Sequence, residues 1–399
     1  MGPVGFSIGA GVLAAAAIAA ARLKTWYFRG AKDRYTFHPV RLETGPLVSV
    51  IIPARNEEAA VGRLLEGVVV QRYRNIDVIV VDDASEDSTA RVVGEYAARD
   101  NRITLAAAGA LPPDWTGKCN ACRTGAGLAR GEFLLYLDCD VRLEDADVIG
   151  GLVALSREQG IDLLSLVPRQ VLGSPIERFL LPAVYAIMAT GFLPFRRIND
   201  PLDAKAAAVG QCLFFRRGAY EAIGGHQAVK GHIAEDMAFA ALVKARGLRL
   251  VLLDAGRSLS VRMYNSLGEI WSGWTKHLHA SAAGGIAGLA RIGAVSSLAF
   301  LAPPAILVWA LISLALGPTF YAGCVLILAL GVEVWVRKER LRNYRMMKWP
   351  RYYEPLFAPA MVFALVLLAA SAVKHALPNG LSWKGRRYSA VRSKRNIAP

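Results

Sequence analysis

Two aspartates one residue apart, Asp138 and Asp140, close the apolar run FLLYLDCDV (133–141). Hard divalent cations such as Mg2+ or Mn2+ take a few carboxylate oxygens and complete their shell with water and phosphate. Carboxylates at i and i+2 just past a strand can both turn toward such a cation if the backbone bends there. Two plainer readings stand beside this one: a solvated strand end, or Asp140 as the cap of a following helix. A second acidic pair, Asp82-Asp83, ends DVIVVDDAS (77–85). It suits a ribose hydroxyl or a base N–H, and equally the start of the next helix with Ser85 or Asp87 as cap. A third pair, Glu235-Asp236, opens EDMAFAALVKARG (235–247) after the glycine-rich GGHQAVKGH (224–232). Acids favour helix N-termini through the helix dipole, but a carboxylate in that place can also take a proton from an incoming hydroxyl. His226 and His232, alone on either side, read as structural or loop residues.

The elements that must position these acids follow from the apolar pattern. LVSVIIPA (47–54), DVIVVDDAS, RITLAAA (102–108) and the 133–137 run are apolar along their length, and helical stretches separate them. Such strands belong in a parallel sheet covered on both faces, and the alternation implies βαβ units. Ligands of these sheets bind outside the carboxyl ends of the strands. Arg55, Asn56 and Glu57, then Asp82 and Asp83, then Asp138 and Asp140 all fall at such ends. GAGLARG (125–131) has glycines, but they close a helix and precede a strand. The dinucleotide fingerprint needs the opposite order, so an NAD-binding oxidoreductase is disfavoured. Cys119 and Cys122 have redox-like spacing, but no second ligand pair follows for a structural zinc. They read as small residues of a helix packed on the sheet.

The chain has 399 residues, 54% of them hydrophobic, and a formal net charge of +15. The apolar excess lies at the two ends. Residues 3–21 are about long enough to span a bilayer, with basic residues after them and none before. Residues 294–316, 319–336 and about 355–373 are further apolar stretches, with Pro303-Pro304 and Pro355 with Pro359 as two candidate breaks. Basic clusters at 22–32, 337–348 and 384–395 read as cytoplasmic flanks against anionic lipid. The basic runs lack interleaved aromatics, so nucleic acid is not an expected partner. Five scattered cysteines indicate a reducing compartment.

In this order, VSVIIPARNEE, VIVVDDASEDST, DCD and ED resemble the membrane-associated inverting glycosyltransferases of family 2 over residues 48–265. LPPDWTGKCNAC (111–122), GQCLFFRRGAYEAIGGHQAV (210–229), RMY (262–264) and WKGRRY (383–388) resemble the bacterial branch near carotenoid- and hopanoid-associated enzymes and, more distantly, ceramide glucosyltransferases. The resemblance implies an α/β GT-A nucleotide-diphospho-sugar transferase domain, a mostly parallel sheet flanked by helices, together with transmembrane helices. The expected organisation is an anchor at 1–24, a cytoplasmic catalytic domain at 46–285 with an interfacial segment at 172–198, transmembrane or re-entrant helices at 290–375 and a basic cytoplasmic tail at 376–399. The expected location is the bacterial inner membrane, with several spans.

The same resemblance implies roles. Pro53, Arg55, Glu57, Asp82, Asp83, Lys118, Asp138 and Gln211 would bind the nucleotide sugar. Asp140, with Asp138, would hold Mg2+ or Mn2+. Asp236, with Glu235 beside it, would be the catalytic base. Family relatives often carry a Q/RxxRW motif after the base; this chain offers Arg262, Trp274 and Lys276 instead, for the diphosphate or the sugar. Because the missing motif is prominent in processive members, the expected reaction transfers one sugar, a hexose such as glucose from a UDP-sugar, to a hydroxyl of a membrane lipid such as a carotenoid. Tyr185 and Phe192 of the interfacial segment would meet that lipid. A polyprenyl-phosphate, sphingolipid or diacylglycerol acceptor is the alternative. A non-enzymatic membrane scaffold with a degenerate fold is the third reading.

Overall fold

The computed structural model describes residues 3–28, 35–191, 195–280, 285–317, 319–377, 381–383 and 386–388. Phe192, Pro318, Lys384 and the basic residues from 389 onward lie outside them, as do Arg29 and Lys32. The chain divides into two compact units. One gathers Met1–Gly30, Leu172–Phe192 and Tyr264–His375; the other gathers Ala31–Val171, Leu193–Met263 and Ala376–Pro399.

In chain order the elements are α1 (Pro3–Phe28), β1 (Val48–Ala54), α2 (Val61–Val69), β2 (Ile76–Asp82), α3 (Thr89–Ala97), β3 (Ile103–Ala107), α4 (Gly117–Leu128), β4 (Phe133–Leu137), β5 (Val141–Leu143), α5 (Val148–Gln159), β6 (Leu163–Val167), β7 (Arg169–Gln170), α6 (Pro175–Gly191) and α7 (Phe195–Ile198). There follow β8 (Cys212–Arg216), α8 (Arg217–Ala222), α9 (Gly225–Ala228), α10 (Glu235–Ala245), β9 (Leu250–Asp254), β10 (Leu259–Val261), α11 (Leu267–Ala280), α12 (Gly285–Phe300), α13 (Ala302–Leu316), α14 (Phe320–Met346), a 3-10 turn (Arg351–Leu356), α15 (Phe357–Ala376), β11 (Leu381–Trp383) and β12 (Arg386–Tyr388).

The second unit is built on a sheet of order β3-β2-β1-β4-β8-β6-β9. β1 is parallel to β2 and β4, and β2 to β3; β8 alone runs against its neighbours β4 and β6. This is the mostly parallel arrangement expected, with β8 the exception. β1, β2 and β4 are buried almost throughout. Their Val, Ile, Leu and Phe side chains form one core with Leu64, Leu65 and Val68 of α2. Each such side chain contributes about 1.5–3 kcal/mol on burial. Gly125 and Gly131 let α4 and its exit lie close against β1: a Cβ at 125 would fall 2.5 Å from Ile51, and one at 131 would fall 2.5 Å from the Ser49 nitrogen. The glycines of GAGLARG thus serve packing.

Pro53 has no N–H to give, and it falls where β1 has already parted from β4. The β1–β4 ladder ends at Ile51–Tyr136, while Pro53 still lies beside Val81 of β2. β1 and β4 thus stop pairing at their carboxyl ends, where the Asp138–Asp140 turn begins. A short sheet of order β5-β10-β7 continues from that turn.

Among the described residues of the first unit, two helices are long and apolar enough to cross a membrane, Phe320–Met346 and Arg351–Ala376. The bent pair α12 and α13 makes a third if it counts as one span; the bend is 45°. The break therefore falls just before Pro303-Pro304, while Pro355 lies in the 3-10 turn that leads into α15. α14 runs ten residues past Val336, into the basic stretch. Ion pairs support that extension: Arg340 meets Glu333 at 2.6 Å and Glu354 at 2.9 Å, and Arg337 meets Glu354 at 2.9 Å.

Candidate active site

The loops after β1 and β2 brace each other. Arg55 Nη1 donates to the carbonyls of Asp83 (2.6 Å) and Ala84 (2.8 Å). The Asn56 N–H donates to Ser85 Oγ, and Asn56 Oδ1 accepts from the Glu86 N–H. The Glu57 N–H donates to Thr89 Oγ1, and the Glu58 N–H to Asp87 Oδ2. Glu58 in turn accepts from the Ser88 N–H. Side chains of each loop thus satisfy amides that a helix start leaves unpaired. Asn56 (φ 51°) and Ala84 (φ 54°) are held in the left-handed region, at a cost of about 1–2 kcal/mol for a residue such as Ala. Asp82 accepts from the Ser85 N–H with both oxygens at 3.3 Å, and Asp83 is buried. Both structural and ligand readings of the pair are therefore compatible with its place.

Asp138 and Asp140 form the turn between β4 and β5, so no helix follows for Asp140 to cap. The Arg262 N–H donates to the Asp140 carbonyl at 3.4 Å, and Cys139 Sγ donates to the Pro53 carbonyl at 3.4 Å. These contacts bend the backbone so that the turn closes over the end of β1. Asp140 Oδ1 is sealed from solvent with no hydrogen-bond partner. Burial, then the charges of Asp138 and Glu57, push the Asp140 carboxyl up to about 8.

Lys118, in the first turn of α4, ties this turn to α10. Its Nζ lies 2.7 Å from Asp138 Oδ1 and 2.8 Å from Glu235 Oε1. Burial opposes its charge, but the two carboxylates hold its pKa well above the ordinary value. Glu235 is 5% exposed. Burial pushes its carboxyl up, yet Lys118 brings it below the usual range. Asp236 Oδ2 accepts the Gly210 N–H at 2.8 Å, and its Oδ1 accepts its neighbour's Met237 N–H at 2.8 Å. Burial, then the Glu235 charge, raise Asp236 to about 6. A Cβ at Gly210 would stand 3.2 Å from Lys118 Nζ, 3.3 Å from Asp236 Oδ2 and 3.4 Å from Glu235 Oε1. Three charged groups therefore converge on one glycine.

The fold thus gathers Lys118, Asp138, Asp140, Glu235 and Asp236 at one sheet edge. Gln211 joins through its carbonyl, which accepts the Asp138 N–H at 3.4 Å. Trp274 and Lys276 belong to the other unit. There Trp274 meets Tyr185 edge-on, ring centres 5.5 Å apart, and Tyr264 at 6.1 Å. Gly210 was not among the residues expected from sequence; a glycine between Val209 and Gln211 carries no signal of an amide aimed at a carboxylate. His226 is buried, bonded to Tyr220 Oη at 2.8 Å and held neutral by burial, its pKa down to about 3. Cys119 and Cys122 are buried on α4, and burial pushes both thiols up.

Asp138 and Asp140 supply hard oxygen donors, and one sealed oxygen lacks a partner. Among the described residues no cluster of three or more His, Cys, Asp or Glu is placed to hold a metal. The pair fits a Mg2+ or Mn2+ whose remaining ligands come from a substrate's phosphates and water.

Residues 49–224 match the model of glycosyl transferase family 2. That stretch is similar to a family 2 glycosyltransferase domain, and the unit that carries it has a GT-A type α/β fold. Among the proteins it resembles is the 4,4'-diaponeurosporenoate glycosyltransferase of Staphylococcus haemolyticus, 30% identical over 239 residues, 59% of this chain and 62% of that protein. The protein of the same description from Staphylococcus aureus strain USA300 is 31% identical over 240 residues, with the same shares. The chain thus spans about three fifths of the length of these curated relatives. A mannosyltransferase from Pyrobaculum calidifontis, solved with GDP-Man and Mn2+, shares the fold. Its TM-score is 0.51 at 20% identity, covering 90% of this chain and 99% of that one.

Proposed function

We propose that this protein moves one sugar from a nucleoside-diphosphate sugar, UDP-hexose first among donors, to a hydroxyl of a membrane lipid, with inversion at the anomeric carbon. The observation that carries this reading is Asp236: a half-buried carboxylate pinned by the Gly210 amide beside the acidic turn. A carboxylate raised toward 6 is half-ionised in slightly acidic solution and takes a proton from an alcohol as the C–O bond forms. The alcohol oxygen bonds to the anomeric carbon, the bond from that carbon to the diphosphate breaks, and the proton goes to Asp236. A single displacement with one base inverts configuration. Lys118 orients Asp138 and Glu235 and brings positive charge near the place where the leaving diphosphate gains negative charge. Asp138 and Asp140 would hold Mg2+ or Mn2+, which neutralises that leaving group when bound. Arg55, through the loop it shapes, with Pro53, Glu57, Asp82, Asp83 and Gln211, would form the nucleoside side of the pocket; Arg262, Trp274 and Lys276 stay candidates for the diphosphate and sugar. The apolar helices would seat the protein in the inner membrane, its catalytic unit on the cytoplasmic side.

Lipid mass spectrometry of cells expressing wild type or Asp236→Asn, at matched protein levels, tests this. A lipid that gains one hexose only with wild type supports the base; equal glycolipid in both overturns it. A second reading has a specific support: the relatives are named for a carboxylate acceptor, diaponeurosporenoate. A carboxylate acceptor is already an anion, as is a polyprenyl phosphate, and for either Asp236→Asn would be mild.

A further inference from the structure

Arg63 of α2, Arg142 of β5 and Arg262, just past β10, are far apart in sequence and all exposed. Only Arg262 is a candidate in the transfer step. The fold brings the three together at the short sheet β5-β10-β7 of the second unit. Val141, Leu143, Leu259 and Val261 of that sheet join the core. Side chains alternate along a strand, so Arg142, Glu144 and Ser260 stand on the other face. There Ser260 lies opposite Arg142 on one side and Arg169 on the other. Past the end of the ladder the Arg262 N–H reaches the Asp140 carbonyl at 3.4 Å, and Met263 returns to the core. Arg262 thus follows Ser260 on the same face, diagonal to Arg142.

α2 supplies the third guanidinium. It runs beside β5, the edge strand: a Cβ at Gly67 would stand 3.1 Å from the Leu143 carbonyl oxygen. Arg63 lies one turn before Gly67 on the same helix face, and so beside β5 and Arg142. Partial burial, then the charges of Arg142 and Arg262, lower the Arg63 pKa, with Glu66 opposing them. The local carboxylates have other partners. Glu144 accepts the Ser260 hydroxyl and meets Arg169 at 3.6 Å, and Glu66 accepts the Tyr96 hydroxyl at 3.2 Å. Among the described residues, no ion pair or hydrogen bond occupies the guanidinium of Arg63 or of Arg142.

Like charges gathered this way repel unless an anion lies between them. The paired N–H groups of arginine match the oxygens of a phosphate. All three side chains are exposed, as on a face that meets another surface, whereas a small ligand is enclosed in a cleft. A bilayer with anionic lipid offers such a surface to basic residues. The formal net charge of +15 and the apolar spans suit a protein that works at one. The chain also leaves this unit for the one with the apolar spans just after β7, and again just after β10.

From this we propose that Arg63 and Arg142, with Arg262 on the side of the acidic turn, bind the phosphate of an anionic phospholipid headgroup and hold the catalytic unit to the bilayer surface. This lipid is not consumed, and the site does not depend on which sugar or acceptor reacts.

The test uses the full chain in phosphatidylcholine nanodiscs that carry phosphatidylglycerol with a diazirine on its headgroup. Labelling is expected on α2 and β5, and also on the basic end of α14, which reports correct insertion. Phosphatidylcholine with the same diazirine should label α2 and β5 at least about ten-fold less. Arg63→Gln with Arg142→Gln should cut phosphatidylglycerol labelling of both elements about ten-fold or more and leave α14 labelled as before. Arg63→Lys with Arg142→Lys, which keeps both charges, should retain most of it. Wild-type labelling of the Gln variant, or equal labelling by the phosphatidylcholine probe, overturns the proposal. Equal losses in the Lys and Gln variants would make the arginines structural and overturn it too. So would suppression of the labelling by UDP, which would give the arginines to the donor's diphosphate. Expected labelling with no sugar transfer from any nucleotide sugar keeps the lipid site and removes the transferase reading.

Discussion

At the scale of single residues, the base assignment makes two predictions. Asp236 is raised to about 6 by burial and by Glu235, and as a base it must be unprotonated. Sugar transfer should therefore rise with pH through about 6 and level off above it; an acid limb near 4 would remove the half-buried base. Asp236→Asn should lower kcat by about two to four orders of magnitude while the KM for the donor changes little. Gly210→Ala probes the same group without touching its charge. Its new methyl would press on Lys118, Asp236 and Glu235 at 3.2–3.4 Å, and small displacements of a catalytic group cost up to about a hundred-fold in rate. A thermal midpoint close to wild type with a kcat down at least about ten-fold is expected. Unchanged kcat would mean that the amide at 210 does not position the base.

At the scale of elements, the loops after β1 and β2 act as one braced pair. Arg55→Ala removes two hydrogen bonds to the carbonyls of residues 83 and 84, each to a charged donor and worth about 1.5–3 kcal/mol. The expected result is a raised donor KM with a smaller change in kcat, read by steady-state kinetics over donor concentration. An equal fall in kcat with KM unmoved would place Arg55 at the reacting centre instead. The strand ends were readable from sequence because each apolar run simply stops at its acids. The direction of β8 was not: CLFFR has the same buried pattern whichever way it runs. Nor was the break between α12 and α13 readable, since Pro303-Pro304 and the later prolines signal alike.

At the scale of the whole molecule, metal and membrane are the open quantities. If Asp138 and Asp140 hold the cation, EDTA should abolish transfer and Mn2+ or Mg2+ should restore it. Asp140→Asn should lose metal-dependent stabilisation in a thermal shift with the nucleoside diphosphate present. If α14 and α15 span the bilayer, the protein should stay in the membrane pellet through an alkaline carbonate wash, since about twenty apolar residues suffice to cross the hydrocarbon core. Release by the wash would make the attachment peripheral.

By itself the sequence determined the α/β core, two acidic pairs at strand ends, a third at a helix start, and the apolar helices toward both ends of the chain. Those features are local: a buried strand, a helix start and a hydrophobic span each follow from neighbouring residues. Only the tertiary structure decided which charges meet. Lys118 lies 20 residues before Asp138, and Gly210 lies 26 before Asp236. Their contacts arise because β4 ends, and α4, β8 and α10 begin, at one sheet edge, and no periodicity along the chain encodes that.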